Sequence, residues 1–392
     1  MNVNAAVYLQ ASKQGPIRRG HPWVFPKAIR KQTGNPKTGE LVNVFTDDEV
    51  LFGTGVYNEH SLYRVRILAL ASEKLDVASL ESIITHRLTQ ALMIRKSLNL
   101  PNPTTTAYRL LNSEGDGLSG LTIDRFNHIC VVSSSAYWVE ANKAIILQSI
   151  EKNIPSDEVI WLPHAKSLAQ DGWKGPIEDR EERMERVLEA GIYYQVNFSN
   201  AQKTGLFLDQ RENHMRIAAL ASGKRVLDLY SYTGGFALHA AKAGASKVTA
   251  VDSSTQAIEA AKHNATINQI DTIEWVEGDA RDYLSKACDF DIIILDPPKL
   301  APSQQHVQRA KNYYRFLHRE VMKAMQPGSL LMTCNCSSAL SSSDFADLTY
   351  SQARSVGKSA RVLGTYGPSS CHPTIPSFPE GNYLTAILLG IV

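Results

Sequence analysis

Two short apolar runs in the C-terminal half each end in reactive side chains. Phe290-Asp291-Ile292-Ile293-Ile294-Leu295 leads into Asp296-Pro297-Pro298-Lys299, and Ser329-Leu330-Leu331-Met332 leads into Thr333-Cys334-Asn335-Cys336-Ser337. Runs of this length, bounded by turn residues, read as strands buried on both faces, which occur in parallel sheets covered by helices. The residues before them keep the alternation that such a sheet needs. The pattern predicts strands over 225–229, 247–252 and 273–276, and helices over 236–243 and 254–268, the latter capped by Ser253 or Ser254. The fold class is therefore α/β, with a doubly wound, Rossmann-like C-terminal domain over 197–392. In such a sheet ligands bind at the carboxyl ends of the strands, where Asp296 and Cys336 fall.

A different texture precedes this domain. Residues 40–45 and 62–68 alternate with period two, and Gly34-Asn35-Pro36 and Gly53-Thr54-Gly55 punctuate them, so 1–75 reads as a small β-rich domain. A helix is expected within 76–100, stopped by Pro101-Asn102-Pro103, and a strand-rich segment follows, making 76–196 a middle α+β domain. The charged run 178–189 reads as an exposed arm and is given no chemistry.

Between Met1 and Gly39 there are seven Lys or Arg, including Arg18, Arg19 and Lys27, and no acid, although the whole chain carries only +2. Such local bias attracts phosphate. No run of eighteen apolar residues exists, so no membrane span is expected. The first residues lack a signal pattern, and the five scattered cysteines suit a reducing cytoplasm. No metal is expected, because Cys334 and Cys336 have no second Cys or His pair at ligand spacing.

The loop after the first C-terminal strand, Asp228-Leu229-Tyr230-Ser231-Tyr232-Thr233-Gly234-Gly235-Phe236, lacks the G-x-G-x-x-G pattern of dinucleotide sites. Its glycines allow close backbone approach to a ligand. Asp228 is placed to bind an amine, Asp252 a ribose, and Asp279 an adenine amino group. Amine, ribose and adenine together describe S-adenosylmethionine, the cofactor expected here.

Several strings, in order along nearly the whole chain, carry a resemblance. They are Arg19-Gly20-His21-Pro22-Trp23-Val24-Phe25, Tyr108-Arg109-Leu110-Leu111-Asn112 with Asp116 to Leu121, Gln202-Lys203-Thr204-Gly205-Leu206-Phe207-Leu208-Asp209-Gln210-Arg211, Asp228 to Phe236, Asp296 to Lys299, Thr333 to Ser337, and Pro379 to Leu384. The chain resembles bacterial 23S rRNA cytosine-5 methyltransferases with an N-terminal PUA domain. The resemblance implies a PUA domain over 1–75, and a segment from Gln202 to Arg211 that folds over the cofactor, with Lys203, Phe207 and Arg211 as contacts. Tyr230, Tyr232, Gly234 and Asp296 complete the expected cofactor set. Leu300 and Cys371 depart from the family pattern, which has an aromatic and an acid there.

The expected chemistry is methyl transfer to carbon 5 of a cytosine in large-subunit rRNA through a covalent cysteine adduct. Cys336 is the expected nucleophile and Asp296 its partner near ring nitrogen 3. Arg18, Arg19, Lys27, Pro297, Pro298 and Lys299 are expected to meet RNA. Cys334 competes as nucleophile, but also reads as a small buried residue. Two alternatives stand beside this reading: methylation of a guanine or adenine nitrogen, and an inactive RNA-binding assembly factor. The expected partner is ribosomal RNA, with no membrane, and a homodimer is open.

Overall fold

The computed structural model describes residues 3–75, 77, 79–177, 183–198 and 205–392. The chain forms two compact units. The first comprises Met1–Glu185, Asn197–Leu206 and Cys371–Gly381; the second comprises Arg186–Val196, Phe207–Ser370 and Asn382–Val392.

The first unit holds two sheets. Residues up to 70 form six strands in the spatial order Trp23–Val24, Val65–Leu70, Leu51–Tyr57, Leu41–Phe45, Ala6–Leu9, Ile29–Thr33. Val42 and Val44 alternate with half-buried neighbours and join Val7, Leu9, Val24 and Val65 in one core. The strand expected at 62–68 runs instead from Val65 to Leu70. Leu62 is 75% exposed, in a bend that continues the alternation without joining the ladder.

Four strands form the second sheet, in the order Glu158–Pro163, Ile129–Ser134, Leu121–Phe126, Ala107–Asn112. The helix Leu80–Ser97 buries Ile83, Ile84, Leu88 and Ala91 in the core beside it. Arg95 of this helix is fully buried and grips Asp116 with two hydrogen bonds of 2.8 and 2.7 Å. Removing one partner of such a pair costs about 3–5 kcal/mol. Arg95 also donates to the Cys371 carbonyl at 2.9 Å, and Cys371 is a buried member of this core. Its departure from the family pattern is thus absorbed by packing. Arg109 pairs with Asp124 in the same way, so these recognised strings are structural.

The second unit is a seven-stranded sheet in the order Ile273–Glu277, Lys247–Asp252, Arg225–Leu229, Ile292–Leu295, Leu330–Asn335, Thr385–Ile391, Ala360–Tyr366. The first five are parallel; Thr385–Ile391 runs antiparallel to Leu330–Asn335, and Ala360–Tyr366 antiparallel to Thr385–Ile391. Ile292 to Leu295 are all buried, as a central parallel strand requires, and each such side chain contributes about 1.5–3 kcal/mol. The chain starts at the central strand Arg225–Leu229, winds outward on one side, then returns to the other with Ile292–Leu295. That reversal opens a crevice at the carboxyl edge. No helix among the described residues is long and apolar enough to cross a membrane.

Candidate active site

The carboxyl edge of the second unit gathers most of the expected residues. Asp228 lies inside the central strand and is fully buried. One carboxylate oxygen accepts from the Ala237 N–H at 3.0 Å, while Oδ1 has no hydrogen-bond partner. Burial pushes this carboxyl up to about 7, against the pull of His214 and with added repulsion from Asp296 and Asp252. A buried acid left short of one partner is suited to an ammonium group.

Arg211, at the start of the helix Arg211–Ala221, is 5% exposed, and its Nη1 likewise has no hydrogen-bond partner. An orphan acceptor and an orphan cationic donor in one unit match the ammonium and carboxylate of an amino acid. The residues present thus fit the methionine end of S-adenosylmethionine.

The loop between strand and helix is strained. Tyr230 has φ 66° and Tyr232 φ 47°, in the left-handed region. Such strain persists only where the surroundings hold it. Here the Tyr230 and Ser231 N–H groups donate to the Val251 carbonyl, and the Tyr232 N–H donates to Asp252 at 2.9 Å. Gly234 has φ 88°, and a Cβ there would sit 2.6 Å from the Trp275 ring, so no other residue fits. Phe207 packs edge-to-face on Tyr232 at 5.0 Å between centroids.

Asp252 ends the second strand, as expected, and its other oxygen accepts from the Ser254 N–H at 2.9 Å. It therefore holds the loop on both sides. Asp279 lies two residues beyond the third strand, ion-paired with Arg281, whose side-chain hydrogen bonds are the main cause of its lowered carboxyl pKa. Lys203 lies outside the described residues.

The fourth and fifth strands are parallel neighbours, with Leu295 opposite Thr333, so Asp296 and Cys336 leave the same sheet edge. The Ser337 hydroxyl donates to the Ala301 carbonyl, tying the turn after Cys336 to the loop after Asp296. The fifth strand ends at Asn335, so Cys336 lies just past it and the strand's alternation does not set its direction. Cys336 is half-buried, whereas Cys334 is fully buried. Burial, then the Asp296 charge, pushes the Cys334 thiol well up. Pro297 is buried; Pro298 and Lys299 are exposed. Leu300 is half-buried against the core.

Gln210 was given no role by sequence, and its contact with Asp296, 86 positions on, explains why. It is 4% exposed, donates to Asp296 Oδ2 at 2.9 Å, and accepts from Asn213 at 2.6 Å. Its only sequence signal is its place in the string ending at Arg211.

In the first unit, Arg18 does not stand free. It pairs with Asp47 and Asp48 at 3.0 and 2.7 Å, and Arg30 approaches Glu49 at 3.6 Å. The basic segment has no acid in sequence, but folding brings acids to it. Arg19 and Lys27 are exposed, with no ion-pair partner among the described residues. Arg19, Lys13, His21, Trp23 and Phe25 line one groove. Phe25 is 40% exposed, and the Trp23 ring packs tilted against Tyr63, with centroids 4.1 Å apart.

Residues 177–366 match the family model described as S-adenosylmethionine-dependent methyltransferase, and residues 7–70 match that of the PUA-like domain. The class is thus a methyltransferase that uses S-adenosylmethionine and carries an N-terminal PUA-like domain. Two solved structures share the fold over 98% of this chain and 99% of theirs, at 21% identity. One is described as a SAM-dependent methyltransferase from Streptococcus mutans (TM-score 0.81), the other as a methyltransferase complexed with SAH (TM-score 0.82). Ribosomal RNA large subunit methyltransferase I of Alteromonas mediterranea is 33% identical over 98% of both chains. The protein of the same name from Aeromonas hydrophila is 32% identical over 99% of both. The chain belongs to the ribosomal RNA large subunit methyltransferase I family.

Proposed function

We propose that this protein methylates carbon 5 of a cytosine in large-subunit ribosomal RNA, in the cytoplasm, through a covalent adduct with Cys336. The observation that carries the reading is a half-buried thiol and a carboxyl leaving adjacent strands at the cofactor edge. The names of the relatives support rRNA as substrate.

Carbon 5 of cytosine is a weak nucleophile. The Cys336 thiolate forms a bond to carbon 6 as the Asp296 carboxyl passes a proton to nitrogen 3, which takes up the electron pair displaced from the ring double bond. The resulting enamine is able to take a methyl group at carbon 5; a bound S-adenosylmethionine would supply it as an electrophile and leave as the neutral thioether. Transfer of the carbon 5 proton to a water acting as base then restores the double bond and expels the thiolate, and nitrogen 3 returns its proton to Asp296. Pro297 and Pro298 stiffen the turn that meets the base. The base must leave any stack to reach these groups. Mass mapping of rRNA from a deletion strain should show one 5-methylcytosine lost; an unchanged map would refute this reading.

Asp228 is assigned to the cofactor ammonium and Arg211 to its carboxylate. An acid raised to about 7 binds an ammonium only when ionised. Cofactor affinity should therefore rise with pH through about 7, being about tenfold weaker at pH 6 than at pH 8. In the unfolded chain this acid ionises near 3.8, so its folded anion costs stability above that pH, fully so beyond about 7. Asp228→Asn should thus bind the cofactor weakly, with a flat pH profile, yet stabilise the ligand-free protein at pH 8. Calorimetry and thermal melts at both pH values check this.

Arg19, Lys27 and Lys13 are assigned to RNA phosphate, with Phe25 offered for stacking. Reversing the three cations to Glu should weaken RNA binding and flatten its logarithmic salt slope by about 2, at about 0.7 per lost contact. Arg18→Glu should matter less, because its charge is already matched by Asp47 and Asp48. Cofactor affinity should not change in either variant. Filter binding across salt concentrations reads the slope.

A further inference from the structure

In the second unit, one carboxylate and two imidazoles converge from three separate elements. Glu189 ends the strand Met184–Glu189, His214 belongs to the helix Arg211–Ala221, and His239 to the helix Gly235–Lys242. All are buried, at 2%, 6% and 4% exposure. One donor atom from each lies within 4.8 Å of the other two. We propose that Glu189, His214 and His239 form a binding site for one divalent transition-metal ion of the zinc class.

The donor set suits such an ion, which takes imidazole nitrogen and carboxylate oxygen at about 2.0–2.2 Å. Tetrahedral bonds of that length put donor atoms about 3.3–3.5 Å apart. His239 Nε2 already lies 3.5 Å from Glu189 Oε1. His214 Nδ1 lies 2.8 Å from the same oxygen, so an ion would open this hydrogen bond by about half an ångström.

The alternative is a buried ion pair, and the stoichiometry argues against it as the whole account. One imidazole is enough to hydrogen-bond this Glu189 oxygen, and His214 makes that contact at 2.8 Å. His239 is then surplus. Its Nε2 points at the same oxygen, is buried, and makes no hydrogen bond. Buried polar atoms are seldom left so. The Tyr194 hydroxyl, also buried and without a partner, feels the charge of Glu189.

His214 is held as a ligand should be. Its ring lies edge-to-face on Phe236 at 4.6 Å, and a Cβ on Gly235 would come within 2.5 Å of it. Sequence spacing hid the cluster. The donors lie 25 residues apart or more, and Glu189 closes a charged run that reads as solvated. The ion would tie the strand to the helix that carries the cofactor loop.

The test uses the full chain, stripped with EDTA and titrated with zinc or cobalt(II). Expected are one zinc per chain by calorimetry, visible absorption of tetrahedral cobalt, and a higher melting temperature with zinc than with EDTA. Glu189→Gln and His239→Ala should each lower zinc affinity more than about 100-fold, beyond the usual loss for residues that only support a ligand. Circular dichroism in EDTA confirms that the variants fold. The wild-type arm decides even if they do not: no cobalt spectrum and no zinc-dependent melting shift overturn the proposal in favour of an ion pair. Zinc affinity unchanged in His239→Ala, or thiolate-to-cobalt charge transfer, would place the metal on cysteines and overturn it equally.

Discussion

Cys336→Ser should lower methyl transfer by about 10³-fold or more while leaving cofactor affinity unchanged. A serine hydroxyl ionises far above neutrality, so almost no anion forms to attack carbon 6. The packing cost is small, because Cys336 is half-buried beyond the strand end. Cys334→Ser is the control that separates two neighbouring thiols. Cys334 is fully buried and its thiol is pushed well up, so it is poorly ionised and poorly placed. That variant should keep activity, since a hydroxyl takes little more room than the thiol and the side chain lies outside the chemistry. Single-turnover rates with saturating cofactor read the difference. A Cys336→Ser enzyme within tenfold of wild type would remove the thiol from the chemistry.

The second large effect belongs to Asp296. Asp296→Asn keeps the shape and the approach of Gln210 but removes the charge and the proton chemistry. Loss of a positioned acid typically costs about 10²–10⁴-fold. The loss should appear in kcat. Gln210 acts through Asp296, as a positioning residue. Gln210→Ala should lower kcat by about tenfold with cofactor affinity intact, and should add little in the Asp296→Asn background. Additive losses in the double variant would show that Gln210 acts by another route.

What sequence revealed and what it hid divide along a physical line. The strands at Arg225–Leu229, Lys247–Asp252 and Ile273–Glu277, and the helix capped by Ser254, fall within a residue of expectation. Each is set by local pattern, apolar runs and caps, which a single chain displays. The acids at the strand ends follow from the same pattern, because a parallel sheet places its loops at one edge.

Interactions between distant segments were invisible. Arg18 looked free because Asp47 and Asp48 lie about thirty residues on. Glu189 looked solvated because the imidazoles that accompany it come from helices further along. Gln210 lay within a recognised string, yet its partner Asp296 is 86 positions away. Leu62 misled in the other direction, continuing an alternation into a bend.

The central claim is a covalent bond between Cys336 and carbon 6 of a cytosine, and 5-fluorocytosine tests it most directly. Fluorine at carbon 5 cannot leave as the proton does, so the adduct cannot break down after methyl transfer. Target rRNA carrying this base should form a complex with the wild type that survives denaturation, with mass equal to protein, RNA and one methyl group. Peptide mapping should place the link on Cys336, and Cys336→Ser should give no complex. A complex retained in Cys336→Ser and lost in Cys334→Ser would move the nucleophile. No complex with any form, while natural RNA is still methylated, would contradict the covalent mechanism and point to a ring or exocyclic nitrogen as the methyl acceptor.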